Sequence, residues 1–203
     1  MIKSRSKIGI FGGTFNPPHI AHVSAAKAFL SSVSLDKLLI IPDFLPPHKE
    51  YVGTVSAEDR LNMCSLAFSG LDSVEISDME IKRGGKSFTA DTLTELSCED
   101  AELYFLCGTD MFLTMDSWYH PETIFSLATI CYIRRESDKE NGDLLLSKKE
   151  YYEKQYSAKI IFIDAPVIEL SSTITRDAIL KSTADNLLPK SVLEYINERG
   201  LYR

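Results

Sequence analysis

At 203 residues, with 44% hydrophobic and 25% charged side chains, the chain has ordinary globular composition and is long enough to bury roughly 70% of its unfolded surface in one core. Its net charge of −7 argues against nucleic acid and anionic membranes as partners, which call for broad basic surfaces, yet leaves room for a small anion held by local charge. No apolar run approaches the ~20 residues of a membrane span, and Met1 to Lys7 lead into a strand pattern rather than a signal-peptide core, so one cytoplasmic domain over 1–203 is expected.

The first predicted strand, Lys7 to Phe11, runs into Gly12-Gly13-Thr14-Phe15-Asn16-Pro17-Pro18-His19-Ile20-Ala21-His22 and then an alanine-rich amphipathic helix. Strand, glycine turn and helix start together read as a phosphate site, while a Gly-Gly after a strand taken alone reads as a plain turn. The glycines let the backbone turn with its N–H groups exposed, and the helix adds free N–H groups and the positive end of its dipole. With a first turn near Pro18, His19 and His22 share one face and reach the same anion as donors. The string has neither the Lys and Ser/Thr of a P-loop nor the glycine spacing of the dinucleotide fingerprint. Two histidines three apart also suit zinc, but a structural zinc site needs four ligands, and no cysteine cluster or third histidine stands near.

Strand two, Leu38 to Ile41, leads into Pro42-Asp43-Phe44-Leu45-Pro46-Pro47-His48-Lys49, a proline-stiffened loop presenting His48 and Lys49. Ser56 to Asp59 resembles a capping box, opening a helix whose apolar face is Leu61, Cys64, Leu66, Ala67 and Phe68 and whose stop is Gly70. Strand three, Ser73 to Ile76, precedes Arg83 to Thr92, where small residues lead into a helix over Thr89 to Leu96, with Asp91 suited to the dipole of its first turn. Strand four, Leu103 to Cys107, ends in Gly108-Thr109-Asp110. Trp118, the only tryptophan, lies in Asp116-Ser117-Trp118-Tyr119-His120, a polar setting that makes a poor core for an indole.

A helix over Pro121 to Leu127 and strand five, Thr129 to Ile133, are followed by Arg134-Arg135, which reads either as a solvated pair or as an anion contact. Residues 136–158 are polar, with a helix around Lys148 to Gln155. After strand six, Lys159 to Ile163, comes Leu170-Ser171-Ser172-Thr173-Ile174-Thr175-Arg176, with hydroxyls at a helix start and an arginine on its first turn. That pattern is a second anion site or a plain N-cap with a surface arginine. Pro189 opens a last helix that closes at Gly200. Cys64, Cys107 and Cys131 fall in apolar patterns and Cys98 in a polar one, with no C-x-x-C, so neither disulfides nor zinc are expected.

Apolar strands alternating with helices imply a doubly wound, mainly parallel α/β sheet covered on both faces, binding ligands beyond the carboxyl ends of its strands.

Residues 12–22 resemble the GGTFDPxHxGH motif of the HxGH nucleotidyltransferases, whose fold is Rossmann-like, and residues 171–176 resemble their second nucleotide motif, SSTxxR. With PPHK at 46–49, the chain most resembles the bacterial nicotinate-nucleotide adenylyltransferases, from about Lys7 to Tyr202. Asn16 stands where that family carries Asp, and Ala21 where it carries Gly. The resemblance implies adenylyl transfer from ATP, with Mg2+, to nicotinate mononucleotide, giving nicotinate adenine dinucleotide and pyrophosphate. It implies His19, His22 and Arg176 as catalytic residues, and Gly12, Gly13, Thr14, Phe15, Ser172, Thr173 and Lys49 around ATP. It implies Phe88 and Thr89 at the nicotinate carboxylate, Trp118 against the pyridine ring, Asp110 at a ribose hydroxyl and Arg135 at the mononucleotide phosphate. A homo-oligomer is compatible with it. Two alternatives stand beside this reading: adenylyl transfer to nicotinamide mononucleotide or phosphopantetheine, and a non-catalytic nucleotide-binding module, which the uncharged Asn16 would favour.

Overall fold

The computed structural model describes residues 5–47, 55–98, 100–133, 142–163, 168 and 170–203. Its centre is a six-stranded sheet in the order β3-β2-β1-β4-β5-β6, with every pairing parallel. The strands are β1 Ser6–Gly13, β2 Lys37–Pro42, β3 Val74–Ile76, β4 Ala101–Cys107, β5 Ala128–Ile133 and β6 Ile160–Ile163. Strand order reverses between β1 and β4, which opens a crevice at their carboxyl ends, the usual ligand position in such sheets.

Alternate residues of each strand face opposite layers, and here both layers are apolar. Leu38, Ile40, Tyr104 and Leu106 face one core with α1 (Ile20–Val33), α2 (Ala57–Phe68), α8 (Ser172–Leu180) and α9 (Lys190–Arg199). Leu39, Ile41, Phe105 and Cys107 face the other, with α4 (Thr89–Leu96), α5 (Thr109–Thr114), α6 (Pro121–Leu127) and α7 (Gly142–Tyr156). A short α3 (Met79–Arg83) follows β3. The doubly wound parallel expectation holds, and α4 and α6 match their predicted spans. Cys64, Cys107 and Cys131 are buried and Cys98 is exposed, also as expected.

Three local readings need correction. Gly12 and Gly13 are not the turn: both are still in β1, opposite Ile41 and Pro42, and the chain bends at Phe15, whose φ of 46° is left-handed. Helix α1 begins at Ile20 rather than near Pro18, so His19 is its N-cap and His22 its third residue. In α2 the buried stripe is Asp59, Arg60, Met63, Cys64, Ala67 and Phe68, which places two charged residues on the face read as purely apolar.

Those charges are satisfied in different ways. Arg60 is 1% exposed and donates to the Thr14 carbonyl (2.8 Å), Asp43 Oδ1 (3.1 Å) and the carbonyls of Asp43 (2.7 Å) and Phe44 (3.2 Å). It thereby ties α2 to the loops that follow β1 and β2. Asp59 accepts from Ser56 Oγ (2.6 Å), Tyr195 Oη (2.9 Å) and Arg199 (3.3 Å), joining α2 to α9. The Ser56 hydrogen bond outweighs burial and, with Tyr195 and Arg199, holds the Asp59 carboxyl below its ordinary 3.8.

A buried ion pair that loses one partner strands the other, so Arg60→Met is expected to cost about 3 kcal/mol or more of stability, read from urea unfolding. A loss below about 1 kcal/mol would show that the pair is dispensable. For Asp59 the folded carboxyl binds its proton less readily than the unfolded one. Its contribution is therefore present above about pH 4 and lost as the pH falls through the depressed folded value. Asp59→Asn should accordingly be destabilised at neutral pH and show a shallower acid limb in thermal melts between pH 2 and 6, as an order-of-magnitude window of roughly two units either side of the ordinary carboxylate value.

Candidate active site

The two sequence motifs that resemble nucleotide sites meet at the crevice. Asn16, Pro17 and Pro18 are buried, and the Asn16–Pro17 peptide is cis. Helix α8 docks on this segment: Arg176 donates to the Asn16 carbonyl (2.8 Å) and Ser172 Oγ to the Pro17 carbonyl (3.2 Å), across about 155 residues of chain. Ser171, the N-cap, accepts from Ile174 N, so the serine next to Ser172 is the one that caps the helix. Arg176 lies one turn inside α8 rather than on its first turn, and it also donates to Thr173 Oγ1 (3.2 Å).

His19 and His22 stack, with ring centroids 3.7 Å apart and planes 23° from parallel. His22 Nδ1 accepts the His19 backbone N–H at 3.2 Å, which in a neutral ring leaves the proton on Nε2. The Ile20 N–H donates to the Leu187 carbonyl at 3.1 Å. Two of the helix-start donors expected to meet an anion are thus engaged internally, and what this helix start offers is imidazole more than backbone. Phe15 is turned inward at 2% exposure, edge-on to Phe11, His22 and Phe68, so its contribution to a ligand site is backbone. Among the described residues a Cβ added at Gly12 would meet nothing within 4 Å, whereas one at Gly13 would come within 3.2 Å of the Phe15 ring, so the open side of this strand end is at Gly12.

A second row of residues, which sequence reasoning missed, fixes the neighbouring loops. Thr14 Oγ1 donates to Asp43 Oδ2 (2.7 Å), the carboxylate that Arg60 grips from below. Phe44 N donates to Ser87 Oγ (2.9 Å) and Ser87 N to the Leu45 carbonyl (2.9 Å), stitching the loop after β2 to the one before α4. That second loop turns on Gly84 and Gly85, both at φ 70°, a conformation glycine adopts without strain. Beneath it, burial pushes the Glu80 carboxyl up, against hydrogen bonds from Thr92 (2.6 Å) and Ser87 and the charge of Arg83. The signal for Arg60 was available, since it sits one turn before Met63 and Cys64 on the helix face that had to be apolar.

Phe88 is the N-cap of α4 and Thr89 its first residue, both half-buried, with the Phe88 ring 4.4 Å from that of Tyr119. Asp110 is exposed in the first turn of α5, directly after β4. Trp118 is half-buried, edge-on to Phe105, with Nε1 3.4 Å from Thr114 Oγ1. These residues all follow the carboxyl ends of β3 and β4, on the α4 to α7 side of the crevice. Lys49 and Arg135 lie outside the described residues.

Residues 10–178 match the model of the cytidylyltransferase-like family. A relative from Listeria monocytogenes, named "Probable nicotinate-nucleotide adenylyltransferase", is 35% identical over 200 residues, covering 98% of each chain. A relative of the same name from Clostridium acetobutylicum is 36% identical over 199 residues, covering 97% of this chain and 98% of its own. In fold, the chain is similar to Plasmodium falciparum nicotinic acid mononucleotide adenylyltransferase complexed with NaAD, with a TM-score of 0.74 at 20% identity and 97% of both chains covered. With the family model spanning most of the chain and full-length relatives at this identity, the chain belongs to the cytidylyltransferase-like family and, within it, to the nicotinate-nucleotide adenylyltransferases.

Proposed function

We propose that this enzyme transfers the adenylyl group of ATP to nicotinate mononucleotide, releasing pyrophosphate and forming nicotinate adenine dinucleotide, a step in NAD biosynthesis. The observation that carries the reading is the docking of Arg176 and Ser172 on the Asn16–Pro17 carbonyls, which sets a guanidinium beside the turn that leads into His19 and His22. A triphosphate needs such converging donors.

The chemistry asks little of a general base. A phosphate monoester has its second pKa near ~6, so the acceptor arrives largely ionised at neutral pH. Its oxygen attacks the α-phosphorus of ATP, the new P–O bond forms as the bond to the β-phosphate bridging oxygen breaks, and the electron pair leaves with pyrophosphate. What the protein supplies is alignment of two polyanions and stabilisation of the charge that builds on the leaving group. In this reading His19 and His22 donate to the phosphates and Arg176 holds the departing end. Gly12, Gly13 and Thr14 line the approach to ATP with the Phe15 backbone, Ser172 and Thr173, and the resemblance adds Lys49 as a phosphate contact.

On the acceptor side, the α4 start at Phe88 and Thr89 meets the nicotinate carboxylate, Trp118 stacks on the electron-poor ring, Asp110 takes a ribose hydroxyl and Arg135 the phosphate. Among the described residues no group of three or more His, Cys, Asp or Glu side chains forms a metal-binding set. In this reading Mg2+ enters as part of the Mg·ATP substrate. Among the described residues no helix is long and apolar enough to cross a membrane, and a cytoplasmic site suits a reaction fed by ATP.

Pyrophosphate release with Mg·ATP, measured with nicotinate mononucleotide, nicotinamide mononucleotide and phosphopantetheine in turn, tests the assignment. Turnover should be highest with the first. A preference for phosphopantetheine would move the enzyme to another acceptor class, and ATP binding with no release from any of the three would mark a non-catalytic module. His19→Ala should lower kcat by about 10²-fold or more, as for loss of one preorganised donor, while circular dichroism shows the fold retained. Near-normal turnover in that variant would remove His19 from the reacting centre.

A further inference from the structure

Glu80, on α3, is a carboxylate at 7% exposure that the proposed reaction leaves without a task. Thr92 Oγ1 donates to its Oε1 at 2.6 Å, and the Ser87 hydroxyl donates to it as well. Each of those hydroxyl oxygens is itself taken by a donor that cannot reverse: the Phe44 backbone N–H at 2.9 Å on Ser87 Oγ, and an Arg83 guanidinium N–H at 2.8 Å on Thr92 Oγ1. A hydroxyl has one proton to give, so both protons run toward Glu80. The network has one direction, and an ionised carboxylate, which only accepts, is the group that suits its centre. Burial, and in smaller part the nearby Asp43 charge, push that carboxyl up, while the two hydroxyls and the Arg83 charge favour the ionised form. Arg83 stands 3.8 Å from Glu80 and is itself paired with Glu95 at 2.6 Å.

The two hydroxyls bracket the start of α4. Ser87 directly precedes the N-cap Phe88, and Thr92 lies one turn inside the helix, with Oγ1 3.4 Å from the Phe88 carbonyl. The body of α4 is held by the core through Ala90 and Leu93. Ahead of Ala90 the chain is different: from Gly84 to Thr89 only Ser87 is buried, and Gly84 and Gly85 before it turn at φ 70°. Ser87 is thus a point at which this loop is fastened, by its N–H to the Leu45 carbonyl and by its hydroxyl to Phe44 and Glu80. The peptide that carries the Phe88 N–H is joined to that residue directly.

We propose that Glu80 is a positioning residue for acceptor recognition: its carboxylate orients the Ser87 and Thr92 hydroxyls and so fixes the helix start that presents the Phe88 and Thr89 N–H groups. The proposal rests on the assignment of that helix start to the nicotinate carboxylate. Glu80 acts through the direction of two hydrogen bonds and on one of the two substrates.

Glu80→Gln keeps the shape but sets an NH2 group where one of the two hydroxyl protons points, so one hydroxyl loses its acceptor. In pyrophosphate release with Mg·ATP, KM for nicotinate mononucleotide should rise about fivefold, the size expected for one hydrogen bond, while KM for ATP stays within about twofold and circular dichroism shows the fold retained. Ser87→Ala cuts the same link from its other end and should do likewise; it carries the test alone if Glu80→Gln does not fold. In the double variant the two losses should fall short of their sum, because both remove one link. An unchanged mononucleotide KM in either folded variant overturns the proposal, as does an equal rise in the KM for ATP or a double variant whose losses simply add.

Thr89→Pro separates the two levels of the argument. Proline suits the first position of a helix and the extended Phe88 before it (φ −88°, ψ 129°), yet it deletes one of the N–H groups in question, which the reference variant Thr89→Ala keeps. If Thr89→Pro weakens mononucleotide binding relative to Thr89→Ala and Glu80→Gln does not, the helix start stands as the carboxylate site and the role of Glu80 is wrong. If Thr89→Pro matches Thr89→Ala, the carboxylate assignment fails and the proposal falls with it.

Discussion

The guanidinium of Arg60, buried between two loops, is the constraint on which the crevice depends. A charge in that position is tolerable only because its donors meet Thr14, Asp43 and Phe44, and those acceptors belong to different loops. The same carboxylate that neutralises Arg60 receives the Thr14 hydroxyl. The loops after β1 and β2 are thus fixed to one another from beneath, by a side chain whose own helix is packed in the core.

From that point order spreads sideways along the carboxyl edge of the sheet. Phe44 leads to Ser87, Ser87 to the loop before α4, and Thr92 and Glu80 hold that loop from below. On the opposite flank α8 reaches the Asn16–Pro17 carbonyls. Loops placed by rigid strands but fastened to each other by hydrogen bonds can present donors to a polyanion with little reorganisation, which is what transfer between two charged substrates demands.

Much of this was legible in the sequence, for identifiable reasons. Central strands buried on both faces leave continuous apolar runs, the edge strands β3 and β6 leave shorter ones, and all six were visible, while α4 and α6 had clear starts and stops. The glycines at 12 and 13 misled because local propensity allowed a turn that pairing with β2 overrides; the bend passed to Phe15, held left-handed by packing against Phe11 and Phe68. The two nucleotide motifs could be recognised separately, but not their contact, since nothing local in residues 171–176 reports on a carbonyl at residue 16. Arg60 escaped although its place one turn before Met63 and Cys64 was a signal. A charged residue on a helix reads as solvent-facing until the partner that buries it is known.

The side chain of Asn16 accepts a hydrogen bond of 2.6 Å from Tyr202, 186 residues later. Residue 16 leaves the ribosome 186 residues before the hydroxyl that holds it. The turn at the mouth of the crevice therefore waits for the chain between them before this tether closes, a non-local contact whose closure entropy the intervening core offsets.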